Sequence, residues 1–428
     1  MKLSTLIPAL ILACGGLVSR WLLSFAPERI SADLAQPIVV TTAWGNYGAL
    51  LCAVLFVTLG AVFLAYPHLL RGNVTLRESL LACVLSLIAG FIWLPLFSSD
   101  VYAYAAYGEM NRIGLNPYVH LTHHLADPVV AAAQWQWSGA FPACVYGPAF
   151  VALSRAVVEI AGASHVFAAL ESLRLISGFS LLACVILTWR IDQRAGSFIA
   201  LNPVILWSAI EGHNDTLMLA VVLFGFLVAR RYRAVGSAFI AFAALVKLPA
   251  LAASAGYAAH ALIVRRRAAV TLTGSIVGTA IVFAASIPLF VSLDTNVAIH
   301  GVYRPLVSVQ AIHPLLALAL GIGVVAHIGS FQKAIDRWFV LAVALWLAIP
   351  NPYPWYTVWL LALAAFAGDS RIRNTAIAIS FAALLRYVPD AVATPNVQWN
   401  LALGLCALAA YAPLFWPQMR GLRGKNGE

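Results

Sequence analysis

The chain has 428 residues, 62% of them hydrophobic and 10% charged, whereas a soluble globular domain is about half apolar and about a quarter charged; a water-soluble fold is excluded. Five of the six cysteines (Cys14, Cys52, Cys83, Cys184, Cys406) lie inside apolar runs and none follows a CxxC spacing, which leaves no basis for a disulfide framework or a structural zinc site. A formal charge of +10 would suit a nucleic-acid partner unless the Lys and Arg side chains sit where a membrane topology needs them.

A helix that spans a membrane needs about 20 apolar residues, fewer where the bilayer thins. Taken in chain order, the apolar runs bounded by charges or by Pro, Gly and Asn are 4–25, 40–65, 78–97, 168–189, 196–210, 216–230, 234–248, 250–264, 269–290, 311–328, 335–350, 353–368, 373–388 and 399–418. They predict an all-α, polytopic transmembrane bundle of about 14 spans in a single domain, 1–428, whose residues 1–66 form an N-terminal two-helix extension. The first run begins like a signal peptide but continues past residue 20 without an A-x-A site, so it reads as an uncleaved helix. With the N-terminus in the cytoplasm, Lys2, Arg71, Arg77, Arg190, Arg194, Arg230, Arg231, Arg233, Arg265 to Arg267, Lys333, Arg337, Arg371, Arg373, Arg420, Arg423 and Lys425 all fall inside. Outside lie only Arg29, Arg112 and Arg304. The positive charge is a topology signal; both termini are expected in the cytoplasm of a bacterial plasma membrane, and no basic patch remains for nucleic acid.

The long polar, aromatic-rich interruption runs from Ser98 to about Gly147 and falls on the external side. Asp100 followed by Tyr102, Tyr104 and Tyr107 predicts a short amphipathic helix lying in the interface, capped by Ser98 or Ser99. The stretch 145–162 carries Arg155 and Glu159 and is too short for a crossing; it reads as a juxtamembrane or re-entrant helix. Residues 98–165 are therefore an external loop with juxtamembrane helices.

The runs SSDVYAYAAYGEMNRIGLNPYVH (98–120), VYGPAFVALS (145–154), ALNPVILWSAIEGHNDTLM (200–218), ALVKLPAL (244–251) and NPYPWYTVW (351–359) resemble the polyprenol-phosphate-mannose-dependent alpha-1,6-mannosyltransferases and related families of GT-C fold. The resemblance implies a multi-spanning hexosyltransferase. It would use a polyprenyl-phosphate sugar donor, mannose by resemblance, and transfer with inversion to a glycan or lipid-linked acceptor on the external face. It also implies a catalytic acidic residue at the start of the first large external loop, which is Asp100. Two spans precede the helix leading into Asp100, whereas the common core of such enzymes begins with that helix, and no DxD pair follows.

The residues fit that chemistry on their own terms. Transfer from a prenyl phosphate needs a carboxylate to take the acceptor's proton, cations to neutralise the departing phosphate and a groove open to membrane lipid. Asp100 sits where membrane meets water, and partial burial would raise its pKa; a helix N-cap is its plain structural alternative. Glu211, His213, Asn214 and Asp215 cluster at an external tip between two short spans and are candidates for binding acceptor hydroxyls, orienting Asp100 or holding a metal. The alternative there is ordinary turn chemistry. A divalent cation needs about six oxygen ligands, of which Asp100 and Asp215 would supply two, so no metal site is assigned and a divalent metal is left open. Lys247 lies in a hairpin turn at a depth that demands a polar partner, either a lipid-linked phosphate or a carboxylate. Arg304 is the candidate for a bidentate phosphate contact, with an ion pair to Asp294 as its rival. Arg174 would pair with Glu171 along a helix. Tyr353, Trp355 and Tyr356, in a turn stiffened by two prolines, would wall a sugar ring or belong to an interfacial belt; Tyr104, Tyr107, Asn116 and Tyr146 complete the candidate substrate contacts. His120, His123 and His124 read as solvated loop histidines. A transporter or flippase of polyisoprenoid-linked glycans is the competing function, but its polar groups should line a full path, whereas the acidic residues concentrate outside.

Overall fold

The computed structural model describes residues 6–25, 46–71, 74–119, 121, 124–136, 141–162, 165–264, 267–287, 334–347 and 353–388. Among these the architecture is all-helical, without a strand beyond an isolated bridge between Leu121 and Phe141. Helices α1 (Ile7–Leu23), α2 (Asn46–Arg71) and α3 (Leu76–Gly90) pack as one group. Then follow α4 (Asp100–Arg112), α5 (Pro128–Gln136) and α6 (Pro148–Ala161), with α4 lying between the other two. The long α7 (Val166–Ile191) contacts both groups and leads into α8 (Gln193–Leu201), α9 (Pro203–Ile210) and α10 (Asp215–Ala229). The chain continues through α11 (Arg233–Phe242), α12 (Ala250–Ile263) and α13 (Ala268–Ala285), and after residue 333 through α14 (Ala334–Leu347), α15 (Thr357–Ala365) and α16 (Ser370–Ala383).

The helices fall where the apolar runs place them; the runs 311–328 and 399–418 lie outside the described residues. Three of the described helices, α2 over Gly48–Leu70, α7 and α13, are long and apolar enough to cross a membrane. A fourth span exists if α9 and α10, bent by 116° at their junction, are counted as one. Large apolar side chains face outward along these helices, including Val57 and Leu64 of α2, Phe179 of α7 and Ile276 of α13, as a lipid-facing surface requires. The count of 14 crossings is not established, because most of the other helices are short. The run 196–210 is also two helices, since Pro203 starts a new one and the Asn202 side chain caps it through the amides of Val204 and Ile205.

One further expectation changes. Helix α4 is not an amphipathic helix at an interface, because every residue from Val101 to Met110 is buried. Gly108 makes this possible: a Cβ there would stand 2.4 Å from the Ser154 backbone of α6. The N-terminal two-helix extension is tied to the helices that follow it. Arg20 donates from Nε to the Ile92 carbonyl at 2.7 Å, and Trp93 donates from Nε1 to the Leu12 carbonyl at 2.9 Å. Helix α1 therefore holds the turn that leads from α3 towards Asp100.

One buried cation fixes the geometry of the region. Arg174 on α7 pairs with Glu171 as expected, at 2.5 Å, but it does far more than that. Its guanidinium donates to the carbonyls of Ile210 (2.6 Å), Trp93 (2.9 Å) and Gly90 (3.5 Å). The Ile210 carbonyl closes α9, where no intrahelical donor remains; the Trp93 carbonyl belongs to the turn after α3, and that of Gly90, the last residue of α3, also accepts from the Trp93 amide at 3.0 Å. Five forked donors suit the task in a way an ammonium cannot. Gly212, at φ +85°, passes close over this side chain, where a Cβ would lie 3.1 Å from Arg174 Cγ.

Replacing Arg174 by Met removes the shared donor and leaves the Ile210 and Trp93 carbonyls without the bonds it makes, each costing roughly 1–3 kcal/mol. We expect Arg174→Met to lower the thermal unfolding midpoint of detergent-purified protein by at least about 10 °C; a midpoint within 2 °C of wild type would show that the end of α9 and the turn after α3 are held by other means.

Candidate active site

Asp100 is the first residue of α4, just after its N-cap Ser99, and its amide donates to Ser98 Oγ at 3.2 Å. The carboxylate is therefore free of capping duty and turns to its neighbours. Its Oδ2 accepts hydrogen bonds from the hydroxyls of Tyr104 (3.3 Å) and Tyr146 (3.4 Å), and His213 Nδ1 lies 3.5 Å from the same oxygen. Burial alone pushes the pKa of this carboxyl up, but the adjoining imidazole of His213, the charge of Lys247 and the Tyr104 hydroxyl together outweigh it. The carboxyl is held below its ordinary value, the reverse of the expected shift. Its side chain keeps 17% of its surface exposed.

Lys247 has a carboxylate partner. The short 3-10 turn Ala243–Leu245 ends α11, and the next residues place Lys247 Nζ 2.8 Å from Asp215 Oδ2; the other oxygen of Asp215 accepts from Trp359 Nε1 at 2.8 Å. Asp215 is fully buried, so its charge is tolerable only because both oxygens are used. Around the ammonium stand the rings of Tyr356 (5.1 Å), Tyr146 (5.8 Å) and Trp359 (5.8 Å), an arrangement that favours a cation. Tyr146 touches both centres, through its hydroxyl to Asp100 and its ring to Lys247. The backbone secures it, because Gly147 N donates to the Val246 carbonyl at 3.1 Å and a Cβ at Gly147 would meet the Leu245 carbonyl oxygen at 2.2 Å.

The tip between α9 and α10 carries Glu211, His213 and Asn214, all at most 2% exposed. No hydrogen-bond partner meets either carboxylate oxygen of Glu211, either ring nitrogen of His213, or the amide oxygen and nitrogen of Asn214. Buried polar groups are almost always paired, and three residues so close in the chain with polar atoms short of a hydrogen-bond partner set this tip apart. The backbone under them is firmly held, with the Ser177 hydroxyl of α7 donating to the His213 carbonyl at 2.7 Å.

The aromatic turn does other work than expected. Trp355 is 3% exposed and lies between two rings, His213 at 3.9 Å and Tyr353 at 4.3 Å, both nearly parallel to it. Neither face is open to a sugar; Trp355 supports His213 instead. Tyr107 does not reach Asp100, since its hydroxyl donates to the Pro142 carbonyl at 3.2 Å. Asn116 is also distant: its side chain accepts from the Tyr118 amide at 3.0 Å, and it lines a separate cavity of about 440 Å³ with Asn111, Tyr118 and Pro148. Arg304, Asp294, His120 and His123 lie outside the described residues. Among the described residues no three His, Cys, Asp or Glu side chains converge as metal ligands. Two participants went unnoticed in the sequence, Trp359 and Arg386. The first sits one helical turn after Trp355, a position that aims it at the same site; nothing local marks the second.

The sequence matches the family described as alpha-(1->6)-mannopyranosyltransferase, N-terminal domain, over residues 4–264. An alpha-(1->6)-mannopyranosyltransferase A of Mycobacterium tuberculosis is 27% identical over 88% of this chain and 84% of its own length. Another alpha-(1->6)-mannopyranosyltransferase of that organism is 31% identical over 41% of this chain, a stretch that spans 32% of the relative. Alpha-(1->6)-mannopyranosyltransferase B of Corynebacterium glutamicum is 24% identical over 73% of this chain and 64% of its own length. No solved structure matches. The chain belongs to the alpha-(1->6)-mannopyranosyltransferase family, and the match from residue 4 counts the first helices as part of the family's unit. Membership removes the ground for the transporter alternative.

Removing one partner of a buried ion pair costs about 3–5 kcal/mol, whereas replacing both is far milder. Lys247→Met should therefore destabilise the protein strongly, and Lys247→Met combined with Asp215→Asn should recover at least half of the lost unfolding midpoint. A double variant no more stable than the single one would show that the pair is not what keeps the lysine in place.

Proposed function

We propose that this family member transfers a mannosyl residue from a polyprenyl-phosphate donor to a glycan or lipid-linked acceptor on the external face of the membrane, with Asp100 as the base. The observation that carries the reading is the meeting of two centres at one ring: the Asp100 carboxylate accepts from the Tyr146 hydroxyl and the Lys247 ammonium lies over the same ring.

In this reading the acceptor hydroxyl docks on Asp100 and gives up its proton to the carboxylate as its oxygen attacks C1 of the mannosyl group. The bond from C1 to the phosphate oxygen breaks on the opposite side, its electron pair leaves with the polyprenyl phosphate, and the configuration at C1 inverts in one displacement. Lys247 has three donors and spends one on Asp215, which leaves two for the phosphate as its charge develops. The pairing with Asp215 holds the ammonium in the low-dielectric site before the donor arrives, so little reorganisation is needed during the reaction. Tyr104 and Tyr146 steady the carboxylate in the orientation that receives the proton. The unpaired groups of Glu211, His213 and Asn214 supply hydrogen bonds to sugar hydroxyls, and the lipid-facing flank of the bundle admits the prenyl tail.

Asp100→Asn is expected to leave insertion and thermal stability near wild type while mannosyl transfer from polyprenyl-phosphate mannose falls at least 1,000-fold, more than the 10²–10⁴-fold range typical of a lost general base at its lower end. Retained transfer within tenfold of wild type would remove Asp100 from the role. The depressed pKa sets the sign of the pH dependence. The carboxylate is already ionised at neutral pH, so kcat/KM should stay flat on mild acidification and fall only below the ordinary carboxylate range near 3.9. An acidic limb at pH 6 or above would point to another base.

Side and orientation are tested separately. A glycosylation-acceptor tag at Leu125 should be modified as an exoplasmic site and one at Arg266 should not; the same outcome at both positions would break the proposed topology.

A further inference from the structure

The imidazole of His213 faces Asp100 with one nitrogen, yet hydrogen bonds do not hold it in place. A histidine that serves a reacting group is usually oriented by a bond from its second ring nitrogen. Here Nε2 meets no such partner and Nδ1 lies 3.5 Å from Asp100. Its orientation must come from the ring faces, and the ring faces form a continuous column. His213 stacks on Trp355 with centroids 3.9 Å apart and planes 21° from parallel; Trp355 stacks on Tyr353 at 4.3 Å and 12°. Two rings at such distances cannot share one face of the indole, so they occupy opposite faces. The column ends at Arg386, whose guanidinium carbon lies 4.3 Å from the Tyr353 ring centroid and whose Nη2 donates to the Tyr353 hydroxyl at 2.8 Å. Arg386 itself is 2% exposed, in the 3-10 turn Leu384–Arg386 that follows α16.

We infer that Arg386 is a positioning residue for the transfer reaction, acting through the column Tyr353–Trp355–His213 to fix the imidazole beside the base Asp100. A planar guanidinium is suited to close such a column, because it stacks on an aromatic face and hydrogen-bonds the same ring's substituent at once. Tyr353 is thereby held at its face and its hydroxyl, and Trp355 is clamped between two rings. Its backbone lies in the 3-10 turn Pro354–Tyr356, pinned by the Thr357 hydroxyl donating to the Pro354 carbonyl at 2.7 Å. His213 is left with one orientation. The groups that face Asp100 and His213 from the surrounding elements are Tyr104 on α4, Tyr146 ahead of α6, Glu211 at the tip, Lys247 after α11 and Tyr356 in the 3-10 turn. None of them stacks on the imidazole. The inference rests on Asp100 as base, and it assigns Arg386 no contact with substrate.

The test is steady-state mannosyl transfer by purified full-length Arg386→Met and Trp355→Phe, using polyprenyl-phosphate mannose as donor, read as kcat, donor KM and the pH profile of kcat/KM. The expected result for both is a kcat at least tenfold lower and a donor KM within twofold of wild type. The acidic limb of kcat/KM should also move to higher pH by about half a unit or more, because a displaced imidazole no longer favours the ionised carboxylate. A donor KM raised more than threefold in Arg386→Met would overturn the inference and make the guanidinium a phosphate contact. A lower kcat with an unmoved limb would overturn it too, since loss of folded enzyme lowers the profile without shifting it. Should Arg386→Met fail to purify as a monodisperse species, Tyr353→Phe removes only the hydroxyl that Arg386 binds, and the same shift, smaller in size, is required of it. Failure of the base assignment is distinguishable: Asp100→Asn would then remain active whatever these variants do.

Discussion

An ammonium sealed inside an apolar helical bundle is unstable unless a carboxylate answers it, and the ion pair of Lys247 with Asp215 is the constraint around which the site is arranged. The pair joins two segments that the chain separates by 32 residues, the start of α10 and the turn after α11. The backbone next to Lys247 then receives Gly147, and through it Tyr146. Tyr146 delivers its hydroxyl to Asp100. An electrostatic demand at one position thus propagates, through one main-chain hydrogen bond and one ring, to the orientation of the Asp100 carboxylate.

The same region shows where stability has been given up. Glu211, His213 and Asn214 are buried with their polar atoms unpaired, a cost of order 1–3 kcal/mol for each group. A fold seeking stability alone would place apolar residues there. The framework beneath compensates: Arg174 satisfies the end of α9 and the turn after α3, and Ser177 holds the backbone at His213. Rigid support under unpaired groups is what a preorganised binding surface needs, because donors and acceptors fixed in advance lose little entropy when a polyhydroxyl ligand meets them.

Much of this was legible in the sequence, for identifiable reasons. Asp100, Glu211, Asp215 and Lys247 are charges at the ends of apolar runs, where desolvation makes any charge conspicuous. The helices follow the apolar runs closely because a membrane bundle repeats its solvent's demand along every segment. What could not be read was pairing in space. Whether Lys247 answers a phosphate or a carboxylate depends on which span ends meet, and hydropathy is silent on that. The pKa of Asp100 was misjudged because burial could be inferred from its position, whereas the His213 imidazole beside it could not. Trp355 looked like an open platform since a sequence does not show that both of an indole's faces are covered. Arg386 resembles any arginine near a span end until Tyr353 is seen against it.

The break between α9 and α10 explains why so many polar side chains gather in one stretch. A continuous helix would satisfy every backbone group internally and would spread the side chains of residues 211 to 215 around its circumference at 100° intervals. The 116° bend brings these residues to one end of two short helices, and Gly212, with its positive φ, makes the reversal without strain. Irregular backbone at such a point is tolerated only where protein or water covers it. Here the covering is supplied by α7 from one side and the aromatic turn before α15 from the other, through Ser177 and Trp355. The bend therefore requires the supports, and with them it sets His213 beside Asp100, so a substitution that straightened it would scatter the tip's polar groups and remove the reason for its framework together.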